Sequence, residues 1–516
     1  MRAPRLLLLT VAAIAAAWWF GRGRSGPVSP ALVELPRCSA PRWWRAASAR
    51  STGRSGPVTH LGHAERNLAM ARVGARTGGD LAVTRARQVF ASAERKAELD
   101  EAFQLRTAES VRDTLGGMKG AMMKIGQLAS YLDQGLPEPV RDALSQLQTD
   151  APPMAPELVA EQIRSELGAA PEEVFETWDP VPIAAASIGQ VHRAMTRDGR
   201  AVAVKVQYPG VDDAIGSDLR AADWIFAGLG AAFPGLETGP IVEELRERII
   251  EELDYVREAE NQRFFARNYA GHPFIHVPEV VDELSTARVL TTELAEGVDF
   301  ATVRTWSQQE RDLAAETIYR FAFGSLYRLQ AFNGDPHPGN YLFQPGGRVT
   351  FLDFGLVKHF APEEVDVFEQ LIDTMVLRRD ITAFRRVLRD VGLLRDADRF
   401  SDQAVEDYFA HFYDFVLYEG DEYTITPEFA SDTVRRMFKA DEEHTEVTKA
   451  ANVPPSFVII QRINLGLYAI FGDLHATGPW REISEELWPF VDGPPATPMG
   501  EAIERWRSEV APEAVI

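Results

Sequence analysis

Hydrophobic spacing changes character several times along this chain. From about His63, the stretches 64–73, 80–103 and 107–132 carry apolar residues at three- and four-residue intervals, which predicts amphipathic helices. A further helix over 140–147 runs into the Pro-rich linker 151–156, and helical spacing resumes over 156–167 and 171–175. The period then shortens. Residues 184–194 lead through the turn at Arg197, Asp198 and Gly199 into the apolar run 201–206, a pattern that predicts a β-hairpin. Residues 241–266 read as one amphipathic helix with dense acids, and strand signals follow at 274–277 and 289–292. Helices are predicted over 312–329, 362–375, 381–391, 402–417 and 433–438. Two short apolar runs, 341–343 and 349–352, flank Gly346 and Gly347 and predict a second hairpin. The run 455–471 is apolar but carries Gln461, Arg462 and Asn464, which predicts a buried helix rather than a membrane span. From Gly493 the chain is Pro-rich, and a frayed tail is expected.

Composition narrows this picture. The 516 residues are 45% hydrophobic and 25% charged, as in soluble globular proteins. One cysteine, Cys38, excludes an intrachain disulfide and fits a reducing compartment. A net charge of -22 argues against nucleic acid as a partner, because phosphate backbones demand basic surface. The exception is residues 1–60, where nine Arg face a single acid, Glu34. There Leu6 to Phe20 is apolar with arginines on both sides, short for a spanning helix of about 20 residues. A membrane anchor and an upstream start site unused in the cell both fit this segment, and residues 21–60 have the composition of disorder. With 47 Arg against 7 Lys, each lysine is unusually informative.

Candidate chemistry gathers around the second hairpin. Asp335 and Asn340 precede it and Asp353 follows it, so a hairpin that returns its ends to one place brings three oxygen-bearing side chains together. Such oxygens are the hard ligands of Mg²⁺ when nucleotide phosphates share it. The spacing D-x-x-x-x-N, then a strand and D-F-G, is that of a protein-kinase catalytic loop and metal loop. Lys205 sits in the otherwise apolar second strand of the first hairpin, where burial demands anionic partners. Nucleotide phosphates and a glutamate of the acidic helix 241–266 would supply them. Near Lys124, Gly116, Gly117, Gly120 and Gly126 each weaken a helix by about 1 kcal/mol, which close approach to another backbone would explain. No His/Cys cluster suggests zinc, and His192 and His337 read as structural.

In order, these features resemble a protein-kinase-like fold. Three further motifs narrow the resemblance: the KIGQ run from Lys124 to Gln127; ELDY from Glu252 with REA around Glu258; and NGDPHPGN from Asn333 to Asn340. This set is similar to the UbiB (AarF-like) atypical kinases, associated with ubiquinone or other isoprenoid-lipid metabolism, over about residues 110 to 360 and more weakly to about 485. The resemblance implies an α+β, bilobal protein-kinase-like fold with an N-terminal helical extension. Its segments would be 1–62 (disordered or anchoring), 63–168 (extension), 169–296 (N-lobe), 297–492 (C-lobe) and 493–516 (tail). It implies ATP or ADP with Mg²⁺ as cofactors. Lys205 would contact phosphates and pair with Glu258, Asp335 would take the catalytic position, and Asn340 and Asp353 would hold metal. Ala184, Ala185, Ala186, Ser187 and Gly189 would border the nucleotide, with Glu293 and Ala295 at the hinge. Lys124, Gly126 and Gln127, with Glu252 and Asp254, would form the family's extra constellation, in which the N-terminal helix covers the peptide cleft.

Two departures bear on activity. Alanines stand where a kinase has glycines, and each Cβ restricts the approach of backbone N–H groups to phosphate. Altered nucleotide preference and slow turnover are expected. After Gly355 only a few residues precede the helix near Pro362 and no A-P-E segment follows, so the peptide platform is missing. This favours ATP hydrolysis, or phosphorylation of a small or lipid-like molecule, over protein phosphorylation. A nucleotide-sensing pseudokinase scaffold is one alternative. A small-molecule phosphotransferase of the antibiotic-kinase type is another, although that class has no reason to carry K-x-G-Q. A cytoplasmic location with peripheral membrane contact through the N-terminal apolar segment is expected, and the oligomeric state is left open.

Overall fold

The computed structural model describes residues 154–186, 188–209, 253–438, 445–452 and 454–509. The first hairpin forms as its alternation requires. Strands β1 (Thr177–Trp178), β2 (Ala184–Ala185), β3 (Gly189–Met195), β4 (Ala201–Gln207) and β6 (Val289–Glu293) make one sheet in the order β1-β3-β4-β6, with β2 paired to β3. All its pairs are antiparallel. Gly199, at φ +87°, turns β3 into β4 in a left-handed conformation that a Cβ would disfavour.

Period two decides what β4 buries. Val202, Val204 and Val206 are fully buried on one face, which leaves Lys205 on the other. Helix α1 (Pro156–Leu167) sets Val159 and Ile163, four residues apart on one helical face, against those valines and Phe175. Each such side chain contributes about 1.5–3 kcal/mol of burial. The helix at the end of the expected extension therefore shares its core with the sheet.

The acidic helix departs from its prediction. Of the helix predicted over 241–266, residues 241–252 lie outside the described residues. The chain is non-helical at Leu253 and Asp254, and helix α2 runs Tyr255–Asn268 with Asp254 as its N-cap, accepting from the Arg257 N–H at 2.9 Å. Gln207, at the end of β4, donates to the Leu253 carbonyl at 2.8 Å and fixes where α2 starts.

The larger core surrounds α3 (Gln308–Leu329), which is buried on most faces. Around it lie β5 (Ile275–His276), β7 (Ala331–Asn333), β8 (Tyr341–Gln344), β9 (Arg348–Phe351) and β10 (Val357–His359). Helices α4 (Pro362–Ile372), α5 (Ile381–Asp390), α6 (Asp402–Phe409), α7 (Pro427–Phe438), α8 (Pro455–Leu474) and α9 (Trp480–Leu487) complete this body. The helix predicted over 402–417 is broken: α6 passes into a tighter turn, Ala410–Tyr413, and then a short helix, Asp414–Leu417. The one predicted over 362–375 ends at Ile372 and widens into a π-turn, Asp373–Leu377. Helix α8 buries Ile463, Leu467, Ile470 and Phe471, as its interrupted hydropathy predicts. Among the described residues no helix is long and apolar enough to cross a membrane.

The expected frayed tail is corrected. Residues Pro498–Glu509 form helix α10, which buries Met499, Ile503 and Trp506 against Phe274 and Leu313. The spacing i, i+4, i+7 puts these three on one face, a signal that the Pro-rich approach obscured.

Candidate functional site

The second hairpin places the first three site residues. Pro345, Gly346 and Gly347 form its three-residue turn, and Gly346 and Gly347, at φ +78° and +76°, take conformations that favour glycine. Tyr341 pairs with Phe351, and the Leu352 N–H then donates to the Asn340 carbonyl at 2.9 Å. Asn340 and Asp353 therefore sit at adjoining ends of the hairpin. The Asn340 side-chain amide donates to the Asp335 carboxylate at 3.2 Å and to its carbonyl at 3.1 Å. Asp353 accepts from the Gly355 N–H at 2.9 Å.

A polar bracket holds the two loops together. Asn333 donates to the Asp353 carbonyl at 2.8 Å and accepts from the Asp335 N–H at 3.2 Å. Its own strand, β7, pairs with β10, with Asn333 opposite Val357. Asn261, buried on α2, donates to the Phe354 carbonyl at 3.0 Å, while the Phe354 ring is fully buried beside Phe265. Sequence reasoning gave no role to Asn333 or Asn261. Asn261 lies three residues after Glu258, on the same face of α2, and that spacing was the available signal.

Lys205 reaches this cluster from the sheet. Its ammonium meets both oxygens of Glu258 at 2.7 and 2.9 Å and lies 3.8 Å from Asp353. Glu258, on the first turn of α2, is 3% exposed. Three residues earlier, at the start of α2, the Tyr255 ring lies 4.9 Å from the ammonium, within cation–π range. The Tyr255 hydroxyl is buried without a hydrogen-bond partner.

Burial works against the Lys205 charge, but the carboxylates of Glu258 and Asp353 outweigh it and raise its pKa above the ordinary lysine value. Burial pushes the Glu258 carboxyl up to about 7, with Lys205 opposing and Asp353 adding to the shift. Two carboxylates thus face one ammonium, an excess of negative charge that suits a divalent cation. Among the described residues no three His, Cys, Asp or Glu side chains form a metal site on their own. One carboxylate and one amide oxygen, at Asp353 and Asn340, fit a Mg²⁺ whose remaining ligands are phosphates and water.

The other predicted residues are placed as follows. Ala184 and Ala185 are exposed in β2, and the Ala186 N–H closes a tight turn onto the Gly189 carbonyl at 2.9 Å. Gly189 is buried at the start of β3, where a Cβ would stand 2.3 Å from the Val206 carbonyl oxygen and 3.0 Å from the Tyr255 hydroxyl. Its lack of a side chain therefore has a packing cause. Glu293 ends β6 and contacts His276 at 3.2 Å, which raises the imidazole and lowers the carboxyl. Ala295 follows in the connection to the helical body and is half-buried. Asp254 caps α2. Lys124, Gly126, Gln127, Ser187 and Glu252 lie outside the described residues. His192 is fully buried, stacked on Trp178 and hydrogen-bonded to the Asp179 carbonyl, while His337 accepts from the Gly339 N–H; both are structural contacts.

The model of the ABC1 atypical kinase-like domain matches residues 146–388. An uncharacterized chloroplastic aarF domain-containing protein kinase from Arabidopsis thaliana is 36% identical over 300 residues, covering 57% of this chain and 42% of its own. The mitochondrial atypical kinase COQ8B of Rattus norvegicus is 34% identical over 268 residues, 51% of each chain. The chain thus spans about half the length of the curated relatives it matches. A Mycobacterium tuberculosis protein solved in complex with erythromycin shares 32% identity at a TM-score of 0.55, over 77% of this chain and 98% of that one.

Proposed function

The chain belongs to the UbiB (AarF-like) family of atypical kinases and has their α+β kinase-like fold, and from that premise we propose that it binds Mg-ATP or Mg-ADP at the cluster of Lys205, Glu258, Asp335, Asn340 and Asp353. The observation that carries this reading is the Lys205 ammonium, held by both oxygens of Glu258 and 3.8 Å from Asp353. Lys205 offers positive charge to phosphate, and Glu258 fixes the direction in which it is offered. Asn340 and Asp353 would hold Mg²⁺, which neutralises phosphate charge when bound. Asp335, tied to Asn340, orients the attacking hydroxyl or water and accepts its proton.

The acceptor in this reading is water or a small, lipid-like molecule. Residues 356–361 are all that separates Gly355 from α4, and β10 draws half of them back onto β7. No room is left there for a loop that docks a peptide. Service in ubiquinone or other isoprenoid-lipid metabolism, and peripheral membrane contact, rest on family membership. The test is nucleotide binding by thermal shift with and without Mg²⁺, together with phosphate release. Mg-dependent binding and release, both lost in Asp353→Asn, support the proposal. Binding without release in either protein points instead to a nucleotide-sensing scaffold, and no nucleotide binding at all overturns both.

A further inference from the structure

The helical body encloses a second place where a small molecule fits. Between α3, α4, α6 and α8 lies a cavity of about 200 Å³, and none of its lining residues comes from β3, β4 or α2. Half of the residues that line it are aromatic and none is charged, so it suits an uncharged ring. For scale, an apolar cavity of about 150 Å³ accepts benzene.

Besides the aromatic residues, the polar side chains of this wall are Thr448, Asn452, and Gln461 and Asn464 of α8. The Asn464 side-chain oxygen is shielded from solvent and has no hydrogen-bond partner. An amide oxygen left in that state costs about 1–3 kcal/mol, which a donor on a bound molecule would recover.

Helix α8 also touches the Asp335 loop. Ile460, Asn464 and Tyr468, spaced by four, line the cavity. Gly466 is two residues from Asn464, about 200° around the helix. A Cβ on Gly466 would stand 2.6 Å from the Pro336 ring, and Pro336 follows Asp335 directly. One rigid element therefore has the cavity on one side and the catalytic-loop proline on the other.

We propose that this cavity binds an uncharged one- or two-ring aromatic molecule with an N–H or O–H donor, and that α8 transmits its occupancy to the Asp335 loop. The donor meets Asn464, the rings fill the apolar space, and any displacement of α8 reaches Pro336 because Gly466 leaves no gap. The coupling rests on the nucleotide site proposed above; the binding does not.

Indole and indene provide the test, since they share a shape and differ at the N–H. With the full chain, calorimetric titration should show saturable indole binding and at least about fivefold weaker indene binding. Asn464→Leu should bring the two ligands within about twofold, and Ile460→Trp, which fills the space, should abolish binding of both. Saturating indole should change ADP affinity by at least about threefold. Absence of saturable indole binding, or equal affinity for indole and indene in the unsubstituted protein, overturns the site. Indole binding with unaltered ADP affinity overturns the coupling. A protein that binds indole but no ADP leaves the cavity standing and removes the nucleotide site instead.

Discussion

Glu258 holds the Lys205 ammonium with both carboxylate oxygens, at 2.7 and 2.9 Å, and is itself almost wholly buried. Removing either partner strands the other in a low-dielectric site, yet the two losses are not equivalent. A stranded Glu258 neutralises itself by taking up a proton, whereas Lys205 remains charged beside Asp353.

Lys205→Met is therefore expected to destabilise the protein more at pH 8 than at pH 6, because at the lower pH its stranded partner is already protonated. At pH 8 the loss should approach about 3–5 kcal/mol, the cost of breaking a buried pair. Urea titrations at the two pH values measure it. An equal loss at both would show that Glu258 does not take up the proton.

In the intact protein the Glu258 carboxyl is raised from 4.5 to about 7 by burial. Its contribution is fully present below the unfolded value and is lost as pH rises through the folded one, so it lowers stability between about pH 4.5 and 7. Glu258→Gln should remove that slope, which stability measured against pH across the window would reveal. A slope that persists in the variant would assign it to another group.

Tyr255→Phe deletes a buried hydroxyl that has no hydrogen-bond partner. Without ligand the variant should be as stable as the parent or up to about 1 kcal/mol more so, since no hydrogen bond is lost. Thermal melts of the two proteins decide this. A clear loss of stability would mean that the hydroxyl is paired after all.

Gly189→Ala and Ala185→Gly should separate packing from nucleotide preference. The first drives a Cβ to 2.3 Å from the Val206 carbonyl oxygen and is expected to cost about 1–3 kcal/mol. The second is at an exposed position and should alter the ratio of ATP to ADP affinity, measured by parallel titrations. An unchanged ratio would refute the argument from the alanines.

His272 makes acid stability testable. Its ring accepts the backbone N–H groups of Phe274 and Ile275, and burial, with Arg320 and Arg507 nearby, lowers its pKa to about 3. A depressed histidine contributes stability that is present above its unfolded value of 6.5 and is lost as pH falls towards 3. His272→Gln should flatten the stability curve across that window, monitored by denaturation at successive pH values. A curve as steep as the parent's would exclude His272 as its source.

The sequence by itself determined what local chemistry controls. Alternation at 201–206 separated Lys205 from the valines it sits among, and Gly199, Gly346 and Gly347 marked turns that only a permissive backbone makes easily. The spacing from Asp335 to Asn340 to Asp353 followed from the second hairpin, whose ends must return to one place. Tertiary structure decided the rest. Where the acidic helix begins depended on Gln207, far back in the sheet, reaching the Leu253 carbonyl. The roles of Asn261 and Asn333 depended on carbonyls distant in sequence, at Phe354 and Asp353. The docking of α10 depended on Phe274 and Leu313 forming a surface for Trp506 and its neighbours. Turns and periodicity are properties of adjacent residues. A buried polar group's partner, or an apolar face's cover, is supplied by whatever the whole chain brings beside it.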